Sequence, residues 1–207
     1  DESVGVYRLN TNFNQVLMNM GRAYGFAFGH KENGAMFSHM AVMYSNALYQ
    51  RGFAEAGNEV ISSIYNQCLN FEESKIYPGI PEYINNRGRG LYHYLTGSAS
   101  WLLLTMVTQV YGVRGKLGDL VLAPKLMPEQ FDQTGKASIS TIFADRDLNI
   151  TYSNPEKLSY QDYKIKAVLL NDEEIEYKLS EQEVLIERDL LLALSGSEAV
   201  ELTVKLG

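Results

Sequence analysis

Two of the three histidines of this 207-residue chain stand in one short stretch, GHKENGAMFSH, beside an adjacent lysine and glutamate. The four side chains are His30, Lys31, Glu32 and His39. An imidazole at a helix N-terminus can bind an anion, because free backbone N–H groups and the helix dipole attract negative charge. The stretch therefore predicts a binding site. Its structural alternatives are a solvated capping turn at Lys31–Asn33 and a core position for His39.

A second candidate anion site lies at YLTGSASW, residues 94 to 101, where small residues precede a strongly apolar helix. Thr96 and Gly97 stand at the predicted start of that helix. Gly97 would let an anion approach the backbone closely, because glycine has no Cβ. The alternative is an ordinary N-cap, in which Thr96 or Ser98 satisfies free amide groups.

Other chemistry has weaker support. His30, His39 and His93 have no metal-ligand spacing, and Cys68 is the one cysteine, so no metal site is expected. A Ser-His-Asp triad stays open, although no nucleophile-elbow pattern accompanies it. We expect no organic cofactor.

Apolar periodicity predicts that helices position both stretches. Residues 34–51 carry apolar side chains at helical spacing, and a second such pattern covers residues 53–68. The short link between them indicates an antiparallel helical hairpin. A third helix is predicted over residues 98–111, after an ordered, aromatic-rich loop at residues 72–95.

Beyond Gly115 the apolar period changes to two, which is typical of half-buried strands. The alternating segments are residues 137–143, 148–153, 163–170 and 200–206. A polar turn is predicted at Asn171-Asp172. Because no helix alternates with these strands, we predict an antiparallel β module rather than a parallel doubly wound sheet.

Composition excludes several partners. The net charge is −7 and no basic run is present, so a nucleic-acid partner is not expected. No apolar stretch reaches the roughly 20 residues of a membrane span. A single cysteine and an N-terminal sequence unlike a signal peptide favour a cytoplasmic location without membrane partners.

GHKENGAMFSH, YLTGSASW and the following TQVYGVRG together resemble the C-terminal part of the inverting disaccharide and oligosaccharide phosphorylases, glycoside hydrolase family 94. The family pattern is a Lys/Arg-Glu-Asn-Gly turn with a later histidine, then Leu-Thr-Gly-(Ser/Thr)-Ala-Ser-Trp, then Gly-Ile/Val-Arg. The resemblance covers roughly residues 20–128. It is strongest to the 1,2-β-oligoglucan phosphorylases, and the β half agrees only in general character.

The resemblance implies a fold of two domains, with the last helices of an (α/α)6 barrel in residues 1–115. Residues 116–207 would form an antiparallel β-sandwich or jelly-roll-like domain. It also implies roles for single residues. The phosphate-binding residues would be His39, Thr96 and Gly97, and Lys31 and Glu32 would contact the sugar next to the scissile bond.

The implied activity is inverting phosphorolysis of a β-linked gluco-oligosaccharide to an α-sugar 1-phosphate, with inorganic phosphate as co-substrate. The family's general acid is an aspartate far upstream of the histidine motif, so we expect it outside this chain. The partners would be oligosaccharide, phosphate and a missing N-terminal part of the same protein, and a homodimer stays open. The chain alone should be inactive, and it should expose apolar faces that favour self-association.

Two alternatives remain at this stage: a non-catalytic carbohydrate-binding module, and part of a glycoside hydrolase that uses water. Anion binding at His39 and Thr96 discriminates between them and a phosphorylase. Only the phosphorylase needs it.

Overall fold

The computed structural model describes residues 1–76, 79–93, 97–180, 182–194 and 199–207. The chain divides into two compact units, Asp1–Thr105 and Met106–Gly207. The first contains helices and a short hairpin and the second contains mostly strands, so the fold is α + β. The domain limits expected from sequence, 1–115 and 116–207, stay a prediction.

Four helices and one short hairpin build the first unit. In chain order they are α1 (Ser38–Gln50), α2 (Ala54–Leu69), the one-turn α3 (Phe71–Ser74), β1 (Tyr83–Ile84), β2 (Gly90–Leu91) and α4 (Gly97–Thr105). A 3-10 segment, Met18–Gly25, precedes them. The hairpin and α3 lie in the stretch that the sequence predicted as an ordered loop.

Helices α1 and α2 form the predicted antiparallel hairpin. Gly52, in the link between them, has a φ of +82°, a conformation that glycine adopts without steric cost. The Ser45 hydroxyl donates a hydrogen bond of 2.7 Å to the carbonyl of Gly57. Gly57 also lies against the ring of Tyr49, where a Cβ would come within 2.6 Å of the ring. The missing side chain of Gly57 therefore lets the two helices pack closely.

Helix α4 runs parallel to α1. The ring of His39, at the start of α1, lies against Gly97, the first residue of α4. About two helical turns further along both helices, the Asn46 amide donates a 3.0 Å hydrogen bond to the Thr105 hydroxyl. The N-termini of α1 and α4 therefore lie at the same end of the pair.

The core of the first unit lies between these helices and the hairpin. Its buried apolar members are Val6, Met36, Ala41, Val42, Val60, Ile64 and Ile84. Trp101 and Leu102 of α4 pack against this cluster. The helix that carries Gly97 is thus held by the same core as the helix that carries His39.

One predicted helix limit is wrong. The segment predicted to be helical over residues 34–51 becomes an α-helix only at α1. Before it, Met36 exchanges two backbone hydrogen bonds with Ile84 of the hairpin, and this pairing requires extended backbone. The helix predicted over residues 98–111 is confirmed, because α4 continues directly into a π-helical segment, Met106–Val110.

The second unit begins with this π-helical segment and contains two sheets, one short α-helix and a 3-10 helix, Pro128–Gln130. Its elements are β3 (Val113–Lys116), β4 (Asp119–Leu122), β5 (Lys136–Phe143), β6 (Arg146–Ser153), β7 (Ile165–Leu170), β8 (Glu173–Glu174), β9 (Lys178–Ser180), β10 (Glu183–Ile186), α5 (Arg188–Ala193) and β11 (Val200–Leu206). One sheet has the order β3-β4-β10-β9 and the other β5-β6-β11-β7-β8. The four predicted strands are confirmed as β5, β6, β7 and β11. The turn at Asn171-Asp172 is also confirmed, with φ values of +49° and +69°.

The strands of the second unit are mostly antiparallel, as predicted, and one pair is parallel. Strand β11 pairs in parallel with β6, from Val200 opposite Leu148 to Lys205 opposite Ser153, so the five-stranded sheet is mixed. Parallel neighbours need a crossover of a dozen or more residues, and the stretch between β6 and β11 is long enough to provide one.

Helix α4 is strongly apolar in sequence, but it is only nine residues long. No helix in the described part of the chain is long and apolar enough to cross a bilayer. Helix α4 nevertheless exposes Leu103 and Leu104, with 67% and 47% of their surfaces accessible. Exposed apolar side chains next to one another on a helix are typical of a surface that contacts another element or molecule.

Candidate functional site

Among the described residues, His39 and Gly97 join the two sequence motifs. A Cβ on Gly97 would stand 2.8 Å from Cε1 and 3.1 Å from Nδ1 of the imidazole. Only glycine permits this approach, since any side chain would displace the ring. Trp101, one turn along α4, has its ring centroid 6.5 Å from that of His39. Two residues of α4 therefore fix the position of the imidazole.

Two polar atoms at the start of α1 have no hydrogen-bond partner among the described residues. They are Nε2 of His39 and Oγ of Ser38, and both are buried. Leaving a buried polar atom unsatisfied costs about 1–3 kcal/mol. In addition, no side chain caps α1, whose N-cap position is taken by Phe37. The start of α1 therefore has unused capacity for a polar ligand.

Helix electrostatics favour an anion at this end of the pair. Each helix N-terminus carries a partial positive charge of roughly half an elementary charge. Because α1 and α4 run parallel, their N-termini place like partial charges near each other, and a bound anion would offset this repulsion. Gly97 is exposed and His39 half-buried, so the contact between them lies at the surface. Thr96, the third predicted phosphate ligand, lies outside the described residues.

Lys31 projects from a tight turn that its own backbone closes. Gly29 N–H donates to the Asn33 carbonyl at 2.7 Å, and Asn33 N–H donates to the His30 carbonyl at 3.0 Å. Lys31 has a φ of +47° at the tip of this turn. The side-chain amide of Asn33 donates to the carbonyl of Phe26 at 2.8 Å and fixes the base of the turn.

The ammonium of Lys31 is bound by the β1–β2 hairpin. Its Nζ lies 2.7 Å from Oε2 of Glu82, 3.5 Å from the ring centroid of Tyr92 and 5.5 Å from that of Tyr83. The hydrogen bond to Glu82 raises the pKa of Lys31, which keeps the ammonium charged. A lysine has three N–H donors, so this pairing orients the group and still leaves donors for a ligand.

Sequence reasoning missed Glu82 and did not single out Tyr83 or Tyr92. The ring of Tyr83 stacks parallel to Phe37, with centroids 6.4 Å apart, and His30 meets its edge at 6.2 Å. The only signal for these residues was the number of aromatics in the loop at residues 72–95. That signal could not indicate which of them faces Lys31.

Glu32, the second predicted sugar contact, has one oxygen paired and one free. Oε1 lies 3.1 Å from Nε of Arg22, whose side chain is mostly exposed. Oε2 is buried and has no hydrogen-bond partner among the described residues, and the same is true of the Tyr24 hydroxyl. A carboxylate oxygen in this state can accept a hydrogen bond from a ligand hydroxyl.

The hairpin is held against the Lys31 turn and against α2. The Asn86 side chain occupies the space beside Gly29, where a Cβ would stand 2.3 Å from Oδ1. At the hairpin turn, buried Gln67 of α2 donates to the Gly88 carbonyl at 2.8 Å. Glu82 therefore reaches Lys31 from a supported position.

Metal chemistry has no support in this part of the molecule. His30 contacts Tyr83 and His39 contacts α4, so these two imidazoles have different neighbours. Within the described ranges, no group of three or more His, Cys, Asp or Glu side chains could hold a metal ion.

No protein-family model matches this chain, and no curated protein matches it. The function must therefore be inferred from the residues and their geometry.

Proposed function

We propose that this chain is part of an inverting glycoside phosphorylase and that it binds inorganic phosphate at His39 and the N-termini of α1 and α4. The contact of His39 with Gly97 at the shared end of two parallel helices carries the proposal. Thr96, which directly precedes Gly97, would complete the phosphate ligands.

The chemistry of this end of the helix pair favours phosphate over a neutral ligand. An imidazole N–H and free backbone amides are donors, and phosphate oxygens are strong acceptors for which such hydrogen bonds are charge-assisted. A carbohydrate-binding module would have no need for two convergent helix N-termini. An inverting hydrolase uses a second carboxylate to activate water, whereas phosphate is already an anionic nucleophile.

In the proposed reaction a phosphate oxygen attacks the anomeric carbon on the face opposite the glycosidic oxygen. The bond to the glycosidic oxygen breaks, and a general acid supplied from outside this chain protonates the leaving group. A β-linked substrate then yields an α-sugar 1-phosphate. His39 and the helix amides orient the phosphate and offset its charge as it approaches the carbon.

Lys31 and Glu32 would bind the sugar next to the broken bond. Oε2 of Glu32 would accept a hydrogen bond from a sugar hydroxyl, which would satisfy this buried atom. The ammonium of Lys31 would donate one, from the orientation that Glu82 and Tyr92 impose.

The arrangement of helices supports a barrel assignment for the first unit. In an (α/α)6 barrel, helical hairpins repeat so that successive inner helices run parallel. Helices α1 and α2 form such a hairpin, and α4 returns parallel to α1. We assign the first unit to the last helices of such a barrel and the second unit to a sandwich-like β domain.

Titration of the ¹⁵N-labelled chain with inorganic phosphate tests the proposal. We expect saturable shifts at the Gly97 amide and the His39 imidazole, and their loss in His39→Ala. The matched control is His30→Ala, which removes an exposed imidazole that contacts Tyr83 instead of α4. Shifts from a β-linked gluco-oligosaccharide without any from phosphate would contradict the proposal and favour a carbohydrate-binding module.

A further inference from the structure

Gly34 directly follows the Lys31 turn, four residues before α1 begins, and side chains of an N-terminal segment bind both of its backbone polar groups. Arg8 Nη1 donates to the Gly34 carbonyl at 2.6 Å. The Gly34 amide donates to Oδ1 of Asn10 at 2.8 Å. Between them, Leu9 N–H donates to the Ala35 carbonyl at 3.0 Å. Residues 8–10 therefore bind Gly34 and the residue that follows it, and we call them the Gly34 clamp.

Gly34 lies where the chain leaves the Lys31 turn. Its φ is +68°, a value that favours glycine. The ring of Phe28 fills the side where a side chain would project, since a Cβ would stand 2.1 Å from Cε2. The conformation at Gly34 sets the direction of the chain between Lys31 and His39.

Arg8 is itself held on three sides. Its Nε and Nη2 donate to the Asp1 carboxylate, and its guanidinium lies 5.3 Å from the ring centroid of Phe28. These contacts and the hydrogen bond to Gly34 direct the N–H donors of the planar guanidinium at protein atoms. Arg8 is therefore placed to hold the backbone rather than to bind a ligand.

We propose that Asn10 and Arg8 are positioning residues, which clamp Gly34 and thereby place Lys31 and Glu32 relative to His39. The inference rests on the proposed function, in which His39 binds phosphate while Lys31 and Glu32 bind sugar. His39 has independent support from α4 through Gly97 and Trp101. Loss of the clamp should therefore displace the sugar contacts and spare the phosphate contacts.

The test compares four variants by NMR, of which Arg8→Lys is described below. Asn10→Ala removes the acceptor of the Gly34 amide, and Asn10→Asp keeps an oxygen in its place. The control is Asn12→Ala, which removes an asparagine that accepts a hydrogen bond from its own neighbour, Asn14. The readout is the chemical shift of the Lys31 Hε protons. The ring of Tyr92, 3.5 Å from Nζ, should move this shift away from the value of an unstructured lysine.

We expect Asn10→Ala to move the Lys31 Hε signals toward the unstructured value, and Asn10→Asp to restore them. Loss of one hydrogen bond in the clamp should weaken binding of a β-1,2-linked gluco-oligosaccharide about fivefold. Phosphate affinity, followed at His39, should stay within about twofold of the native value, because the contacts with α4 remain. Arg8→Lys is a milder second perturbation, since it keeps the charge and loses the planar fork.

Three results would overturn the inference. Native Lys31 signals and native sugar affinity in both Asn10→Ala and Arg8→Lys, even with lowered thermal stability, would show that the clamp is only structural. Equal losses of sugar and phosphate affinity would show general disruption. A native chain with no saturable phosphate shifts would instead overturn the proposed function, on which the inference depends.

Discussion

His39 and Gly97 pack so closely that the imidazole occupies the space of a Gly97 side chain, with Cε1 2.8 Å from the ideal Cβ position. The two residues come from separate motifs, and each motif alone fits an ordinary helix N-terminus. Their contact joins the starts of two parallel helices. This relationship distinguishes the proposed anion site from two unrelated helix caps.

Gly97→Ala should impair phosphate binding without unfolding the first unit. The added methyl would displace the His39 ring, whereas alanine is a better helix former than glycine by about 1 kcal/mol. We expect phosphate affinity to fall about tenfold or more, because a hydrogen bond to a charged group contributes roughly 1.5–3 kcal/mol. Calorimetric titration measures the affinity. Gly25→Ala is the control, since a Cβ there meets open space, and native affinity in Gly97→Ala would contradict the proposal.

Glu82→Gln should lower the pKa of Lys31. In the folded chain the hydrogen bond to Glu82 raises this pKa above its ordinary value of 10.5. The pair therefore stabilises the fold fully below pH 10.5, and this contribution is lost as the pH rises through the raised pKa. Titration of the Lys31 Hε signals should show an earlier midpoint in Glu82→Gln than in the native chain. Glu72→Gln, which removes the exposed partner of Lys75, should leave it unchanged.

The spacing of apolar residues predicted the helices and strands that bury one face along their length. The α1–α2 hairpin and strands β5, β6, β7 and β11 follow from helical and two-residue spacing. Contacts between distant segments could not be predicted in this way. Met36 leaves the helical pattern because Ile84 pairs with its backbone, and β11 joins β6 in parallel across a long connection.

The same difference between local sequence patterns and contacts of distant segments applies to the residues of the candidate site. His39 and Gly97 could be named because their motifs resemble a known pair, and the structure brings them together. Glu82 could not be named, since its partner Lys31 is distant in sequence and no motif links them. Asn10 and Arg8 lie outside every motif, and their role depends on a backbone position, Gly34, rather than on a catalytic side-chain type.

The buried hydrogen bond between Asn46 and Thr105 should couple α1 to α4. Both residues are buried, and the Thr105 hydroxyl also donates to the Trp101 carbonyl. In a double-mutant cycle with Asn46→Ala and Thr105→Val, we expect a coupling energy of about 1 kcal/mol in urea unfolding. A cycle between Asn46→Ala and Ser63→Ala serves as control, because Ser63 bonds to the Val60 carbonyl of its own helix. If the unfolding free energies of the two single substitutions simply add in the first cycle, the hydrogen bond between α1 and α4 would be contradicted. The parallel packing inferred from it would then be contradicted as well.

Cys68 should react slowly with alkylating reagents at neutral pH. Burial raises the pKa of its thiol to about 11, and the thiolate is the reactive form. Carbamidomethylation of the folded chain, followed by mass spectrometry, should stay slow at pH 8 and accelerate as the pH approaches 11. The urea-unfolded chain should react much faster at pH 8, with an ordinary thiol pKa of about 8.5. Equal rates for the folded and unfolded chains would show that the thiol is not protected.

The exposed leucines of α4 should promote self-association of this chain. Leu103 and Leu104 are adjacent in the sequence and both are exposed in a helix that has few polar residues. Burial of a leucine side chain contributes about 1.5–3 kcal/mol, so an association that covers both leucines should be favourable. Because it joins separate chains, its extent should rise with protein concentration. Sedimentation velocity should show larger species at higher concentration, and Leu103→Lys should shift the distribution toward the monomer. Leu117→Lys is the matched control, because Leu117 is fully exposed at the tip of the β3–β4 turn. A native chain that stays monomeric at all concentrations would contradict this prediction, and an equal effect of the two substitutions would show that α4 is not the surface responsible.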